Sequence, residues 1–225
     1  MGEPYAIVIN GDTTNGKPHD AITNISDNVN TQADIALMVL KPLAEKCKGN
    51  LYFIRGTEAH VGKSGQEEER LAKSLGAIPD EIGNYARWDL WMRLGDGVRG
   101  AGKGCLVNFG HHIGTTSSMA YEGTAISKEL TEAYAEAARW REEPPDILVR
   151  SHRHRYYKVE MPSDNGYAIG LTTPGWQLRT PFSFRLSSGR TGTPQIGGVF
   201  IRQGDEVHYT KPFIRHIQRS REVVA

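Results

Sequence analysis

LYFIRGTEAHVGKSGQ, residues 51–66, sets an apolar run, a turn and Gly62-Lys63-Ser64 directly before the acidic, helix-like EEERLAKSLG. Strand, glycine-rich turn and helix in that order describe an α/β unit and invite comparison with a phosphate-binding loop. Such a loop keeps four residues between its glycines, so that successive backbone N–H groups curl around the phosphates, and it ends in Lys and a hydroxyl. Gly56 and Gly62 have five residues between them, and those five include Glu58 and His60. A carboxylate in that place repels phosphate and attracts a metal ion. Two other near matches also fail. In GDTTNGKP (11–18), Pro18 replaces the hydroxyl and Asp12 enters the loop; GVRGAGKG (97–104) leads into the strand-like CLVNF rather than a helix.

With 225 residues, 38% of them apolar, the chain can bury a core as one domain or at most two small ones, and a single domain over 1–225 is expected. A net charge of +1 argues against polyanion binding across the whole surface but leaves room for a local basic patch. No apolar run approaches the roughly 20 residues that span a bilayer, and MGEPYAIVINGD lacks the basic start and long apolar stretch of a signal peptide, so no membrane partner is expected. Cys47 and Cys105 are too few for a disulfide framework and fall in apolar segments. Buried thiols in a reducing compartment, and hence a cytoplasmic location, are the expectation.

YAIVIN (5–10) is a short apolar run of the type buried in a parallel sheet, and 31–48 carries the apolar pattern of a helix interrupted by Pro42. LYFI (51–54) is a second strand, and EEERLAKSLG a short helix closed by Gly76. WDLWMRL (88–94) and CLVNF (105–109) suggest an antiparallel hairpin. A helix is expected over 125–143, stopped by Pro144-Pro145, then the buried strand DILVR (146–150) and a series of β-hairpins, with 187–198 as a flexible loop.

Acids and histidines cluster where these strands finish. AIVIN ends in Gly11-Asp12, LYFIR in Gly56, Glu58 and His60, CLVNF in Gly110, His111 and His112, and DILVR in Ser151, His152 and His154. The crevice beyond the C-terminal strand ends is where open α/β sheets build their sites, so groups far apart in sequence can converge there. Singly, each has a bland explanation as a turn residue or a surface histidine. Four separate strands each ending in carboxylate or imidazole favour a metal site over packing.

The order Gly-Asp, Gly-polar-to-His, Gly-His and small-His-x-His, each after a strand, resembles the calcineurin-like metallophosphoesterases, and RGTEAH and GHH are similar to forms in phage-encoded members. The resemblance covers almost the whole chain and implies an α/β fold, a β-sandwich flanked by helices. It implies that Asp12 bridges two metals, that His111 and His152 bind the second metal, and that His154 binds the first. Where the family usually has Gly-Asn-His, this chain has Thr57 and Glu58 before His60; Glu58 is taken as the ligand, with Thr57 as the alternative, and His60 as the acid that protonates the leaving group. Ser151 replaces the glycine of the family's Gly-His-x-His, a residue that fits the same turn less freely.

The family's opening Asp-x-His occurs nowhere in the sequence. The resemblance therefore implies a domain lacking the first strand, N-terminally incomplete, with a first metal site short of ligands. Two functions follow: a metal-dependent hydrolase of phosphomonoesters or phosphodiesters, with nucleic acid or nucleotide as the expected partner, or a non-catalytic metal-binding or scaffold relic of such an enzyme. Mixed histidine and carboxylate ligation suits manganese, iron or zinc. His112 and His19 are expected as spectators, and His208 and His216 as surface hydrogen-bonding groups. Arg150, Arg153, Arg155 and Lys158 with Tyr156 and Tyr157 form a basic, aromatic cluster suited to a nucleic-acid backbone or simply to solvent. Trp176 fits a stacking platform or a buried turn anchor.

Overall fold

The computed structural model describes residues 5–17, 23–47, 49–95, 104–116, 118–185, 192–204 and 207–217, apart from the side chains of Phe182 and His216. The chain is mixed α/β and divides into two compact units: Met1–Trp91 with Asn108–His112, and Met92–Val107 with Ile113–Ala225.

The first unit is built on a parallel three-stranded sheet of order β1 (Ile7–Asn10), β2 (Leu51–Ile54), β3 (Ala86–Arg87). Ile7 pairs with Leu51 and Phe53 with Ala86, which sets the ends of β1 and β2 level, Asn10 beside Ile54. Leu51 and Phe53 pack with Leu71, Ala72 and Ala77, and Ile7, Ile9, Leu37 and Leu40 close the cluster. Helix α1 (Val29–Lys46) starts at Asn28, whose side chain accepts the Asn30 N–H. It runs through Pro42 rather than breaking there. The ring deprives the Met38 carbonyl of a partner, and Met38 is exposed, so water can take that place. Gln32, buried on α1, clasps Gly16 by both its backbone N–H and carbonyl, at 2.8 and 2.9 Å, and so fixes the loop after β1. The single turn α2 (Glu58–Val61) and helix α3 (Gln66–Ser74) follow β2, with Gly76 in left-handed conformation just beyond α3 as the sequence predicts.

The second unit carries most of a five-stranded sheet of order β4 (Leu90–Leu94), β5 (Cys105–Phe109), β6 (Ile147–Arg150), β8 (Gly166–Thr172), β7 (Tyr157–Ser163), with Leu90–Trp91 and Asn108–Phe109 counted in the first unit. The two strands expected as a hairpin are neighbours, and the turn between them lies outside the described residues. β6 pairs with β8 in parallel and β7 with β8 antiparallel. Helix α4 (Glu122–Trp140) seats Ile126 and Leu130 against Leu148 and Ala168. It begins on a 3-10 turn at Met119–Tyr121 and ends at Arg141, whose left-handed backbone lets Glu142 N–H bond the Ala137 carbonyl. The helix thus stops on its own cap, before the two prolines can stop it. A short helix α5 (Pro181–Arg185) and an antiparallel ribbon of β9 (Gln195–Gln203) and β10 (His208–His216) complete the unit. The first part of the loop expected at 187–198 lies outside the described residues, and its last four residues, 195–198, belong to β9. Cys47 and Cys105 are buried free thiols; burial pushes the Cys105 thiol up to about 12. Among the described residues no helix is long and apolar enough to cross a membrane.

Ile126 is fully buried and Met38 is exposed. Ile126→Ala should therefore cost about 2–5 kcal/mol in urea unfolding, and Met38→Ala no more than about 0.5 kcal/mol. Equal costs would mean that the burial described here is wrong.

Candidate metal centre

In the first unit the chain leaves β1 through Gly11 and Asp12, both with left-handed backbone, φ 81° and 54°. Glycine is required at 11 and again at 56. A Cβ on Gly11 would overlap the His111 ring, and one on Gly56 would overlap Asp12. The strand ends are thus pressed together until only hydrogen atoms fit between them.

That closeness fixes the Asp12 carboxylate. Its Oδ1 accepts from the Thr57 N–H at 2.7 Å and the Thr57 hydroxyl at 3.0 Å. Its Oδ2 lies 2.9 Å from His111 Nε2 and 3.9 Å from His60 Nε2. Both rings are anchored through their other nitrogen, His111 Nδ1 to the Asn10 carbonyl at 2.6 Å and His60 Nδ1 to the Asn15 carbonyl at 2.9 Å. A carbonyl only accepts, so each Nδ1 carries a hydrogen. In a neutral His111 ring Nε2 is then a lone pair 2.9 Å from a carboxylate oxygen, and a proton or a metal ion must mediate that approach. Burial disfavours the His111 imidazolium, but the hydrogen bond and charge of Asp12 outweigh it and raise its pKa. The same pair suits an ion: two cis ligands each about 2.1 Å from one metal are about 3 Å apart. Asp12 and His111 belong to a group of carboxylate and imidazole donors that could hold a metal ion.

Behind this carboxylate lies a second one, with no counterpart among the acids expected from the sequence to serve the site. Glu68, completely buried on α3, accepts from Thr13 N–H and hydroxyl through Oε1, at 3.2 and 2.8 Å, and from Gly56 N–H through Oε2 at 2.7 Å. Burial raises its pKa, with the Asp12 charge acting in the same direction, while the Gly56 and Thr13 hydrogen bonds pull it back. Glu68 thus takes one backbone N–H from each of the glycine turns that follow β1 and β2. The sequence does hold a signal for it. Glu68, Leu71, Ala72 and Leu75 share one helical stripe at i, i+3, i+4 and i+7, and a glutamate on an apolar stripe must find donors.

Glu58 is exposed at the first position of α2, and of the two alternatives it is Thr57 that touches Asp12. His112 is exposed, its ring edge-on to His111 at 5.4 Å. His19 and the His216 side chain lie outside the described residues.

In the second unit, His152 and His154 follow β6 with φ of 64° and 53°. The sequence places the backbone demand on Ser151, in the glycine position; it falls instead on the two histidines, while Ser151 is buried and shares a 2.8 Å hydrogen bond with the Thr173 hydroxyl. Among the described residues only four other than glycine have positive φ: Arg141, which caps α4, and Asp12, His152 and His154. A side chain held there costs on the order of 1–3 kcal/mol and persists where its surroundings impose it. Gly175 presses against the His154 ring so closely that a Cβ would lie 2.9 Å from Cγ. Three cations around this turn pair with carboxylates, Arg150 with Glu129 at 2.6 Å, Arg155 with Glu122 at 2.5 Å and Lys158 with Glu160 at 2.7 Å, while Arg153 donates to the Glu122 carbonyl at 2.6 Å. Trp176 is exposed and not a buried anchor. His208, expected at the surface, is buried, because its position in β10 turns it inward beside the Tyr167 ring at 5.2 Å.

No model of a known protein family matches the chain, and no curated protein matches it.

Because a Cβ at position 56 overlaps Asp12, Gly56→Ala should destabilise the protein by about 1–3 kcal/mol in thermal unfolding and weaken binding of manganese. An unchanged melting temperature together with unchanged manganese affinity would refute the close approach.

Proposed function

We propose that the chain is a divalent-metal-dependent phosphoesterase of the calcineurin-like type, acting on phosphomonoesters or phosphodiesters, with nucleic acid or nucleotides as the substrate class. The observation that carries this is one carboxylate oxygen, Asp12 Oδ2, 2.9 Å from His111 Nε2, in a ring whose Nδ1 is tied to the Asn10 carbonyl. Metal-binding histidines are commonly oriented in this way. The sequence pattern adds His152 and His154 as ligands, and their left-handed backbone, like that of Asp12, supports a functional constraint on all three. Glu58 remains the proposed third-motif ligand from the sequence pattern, with Thr57 holding Asp12 in place.

Oxygen and nitrogen donors together suit manganese, iron or zinc. A metal bound there would activate water and neutralise charge on the phosphoryl oxygens. The chain's own groups do the rest. Thr57 fixes the orientation of Asp12, Asn10 fixes that of His111, and Asn15 holds His60 with Nε2 free to carry a proton to the leaving oxygen.

Calorimetric titration with manganese should show one tight site, since the sequence lacks the Asp-x-His that would complete a second. Asp12→Asn and His111→Ala should each weaken that site by about 10-fold or more. Unchanged affinity in both would refute the assignment, and tight binding with no turnover of bis-nitrophenyl phosphate or an alkyl phosphodiester would leave the non-catalytic relic as the better account. His60→Ala should slow an alkyl phosphodiester by about 10²–10⁴-fold and a nitrophenyl ester, which leaves unprotonated, much less. Equal loss on both esters would remove His60 from the acid role.

A further inference from the structure

Opposite residues of an antiparallel pair project to the same face, so the β9–β10 register sorts the ribbon's side chains. Phe200 stands opposite Lys211, Arg202 opposite Tyr209, and Phe213 opposite Gly198. Along β10 every second residue alternates ring and cation: Tyr209, Lys211, Phe213, Arg215. All six of these side chains on β9 and β10 are exposed, Phe200 at 58% and Phe213 at 45%. The opposite face, with Gly197, Val199, Ile201, His208 and Ile214, is buried or half-buried. No described residue on the outward face is acidic; Asp205 and Glu206 of the connecting turn lie outside the described residues.

Packing accounts for part of this. The Phe213 ring lies across Gly198, where a Cβ would come within 2.8 Å of it, and covers the glycine from the facing strand. It does not account for Phe200, whose ring meets Phe213 at 5.0 Å and 40° yet stays more than half exposed. Large rings left in water between cations are costly for a monomer and useful for a ligand with flat apolar faces spaced along an anionic chain.

We propose that the outward face of the β9–β10 ribbon binds single-stranded nucleic acid, the rings stacking on bases and Lys211 and Arg215 lying along the phosphates. Unpaired bases offer their faces to aromatic side chains, and a positive surface tracks the backbone without sequence preference. A duplex keeps its bases stacked on one another and offers no such faces. The surface lies wholly within the second unit and is independent of the proposed metal site.

The test is fluorescence anisotropy of a labelled oligothymidylate of about 15 nucleotides with the full-length chain in EDTA, so that loss of binding cannot be confused with failure of the metal site. Saturable binding that weakens with salt is expected. Phe200→Ala and Lys211→Glu should each reduce affinity about 10-fold, and Lys211→Glu should also flatten the salt dependence. Lys128→Glu, an exposed charge on α4, should change neither. Phe200 and Lys211 are exposed, so circular dichroism should show both variants folded. Absence of binding, equal affinity for a duplex of the same length, preference for phosphatidylserine vesicles, or an unaffected Phe200→Ala variant would each overturn the proposal.

Discussion

Asp12 cannot be shifted without shifting the ends of β1 and β2 and the His111 turn. Its Oδ1 is held by Thr57, its Oδ2 faces His111 and His60, and glycines at 11 and 56 allow the backbone to close around it. Glu68 ties the residue after Asp12 to the residue before Thr57. Two carboxylates are thereby brought close to one another inside a protein, and the Asp12 charge adds to burial in raising the Glu68 pKa. The imidazoles offset that charge only if a proton or a cation joins them. The arrangement suits a cation, and Asp12 and His111 belong to a group of donors that could hold a metal ion.

The parts of this that the sequence displays are those with a one-dimensional signature. Apolar runs give β1, β2, β5 and β6 almost to the residue, and the polar residues just beyond them give Asp12, His60 and His111. Glu68 stays hidden behind its neighbours Glu67 and Glu69, because a run of three acids reads as a solvated helix start until the i, i+3, i+4 stripe is drawn through it. His208 is misjudged for the opposite reason. Period-two alternation in β10 puts Tyr209 outside and His208 inside, and a histidine next to an aromatic gives no hint of which face is wet. The two-residue strand β3 is too short for periodicity, and the end of α4 depends on a left-handed Arg141, which composition does not reveal.

Charge placement separates the two basic regions of the second unit. Beside His152 and His154, Arg150 and Arg155 are paired with Glu129 and Glu122, and Arg153 donates to the Glu122 carbonyl, so these side chains hold the turn. On the β9–β10 ribbon the cations alternate with exposed rings, and the described face holds no carboxylate. Net charge near zero says nothing of where the charges lie, since it sums both regions alike.

The central claim is that Asp12 Oδ2 and His111 Nε2 share a metal ion. Anomalous diffraction at the manganese edge, from crystals grown with manganese, tests it without reference to any reaction. The account predicts a peak in ligand distance of both atoms, about 2.0–2.2 Å for a metal of this type. A fully occupied manganese peak elsewhere with none at Asp12, or a map in which His111 bonds Asp12 directly under saturating manganese, would contradict it.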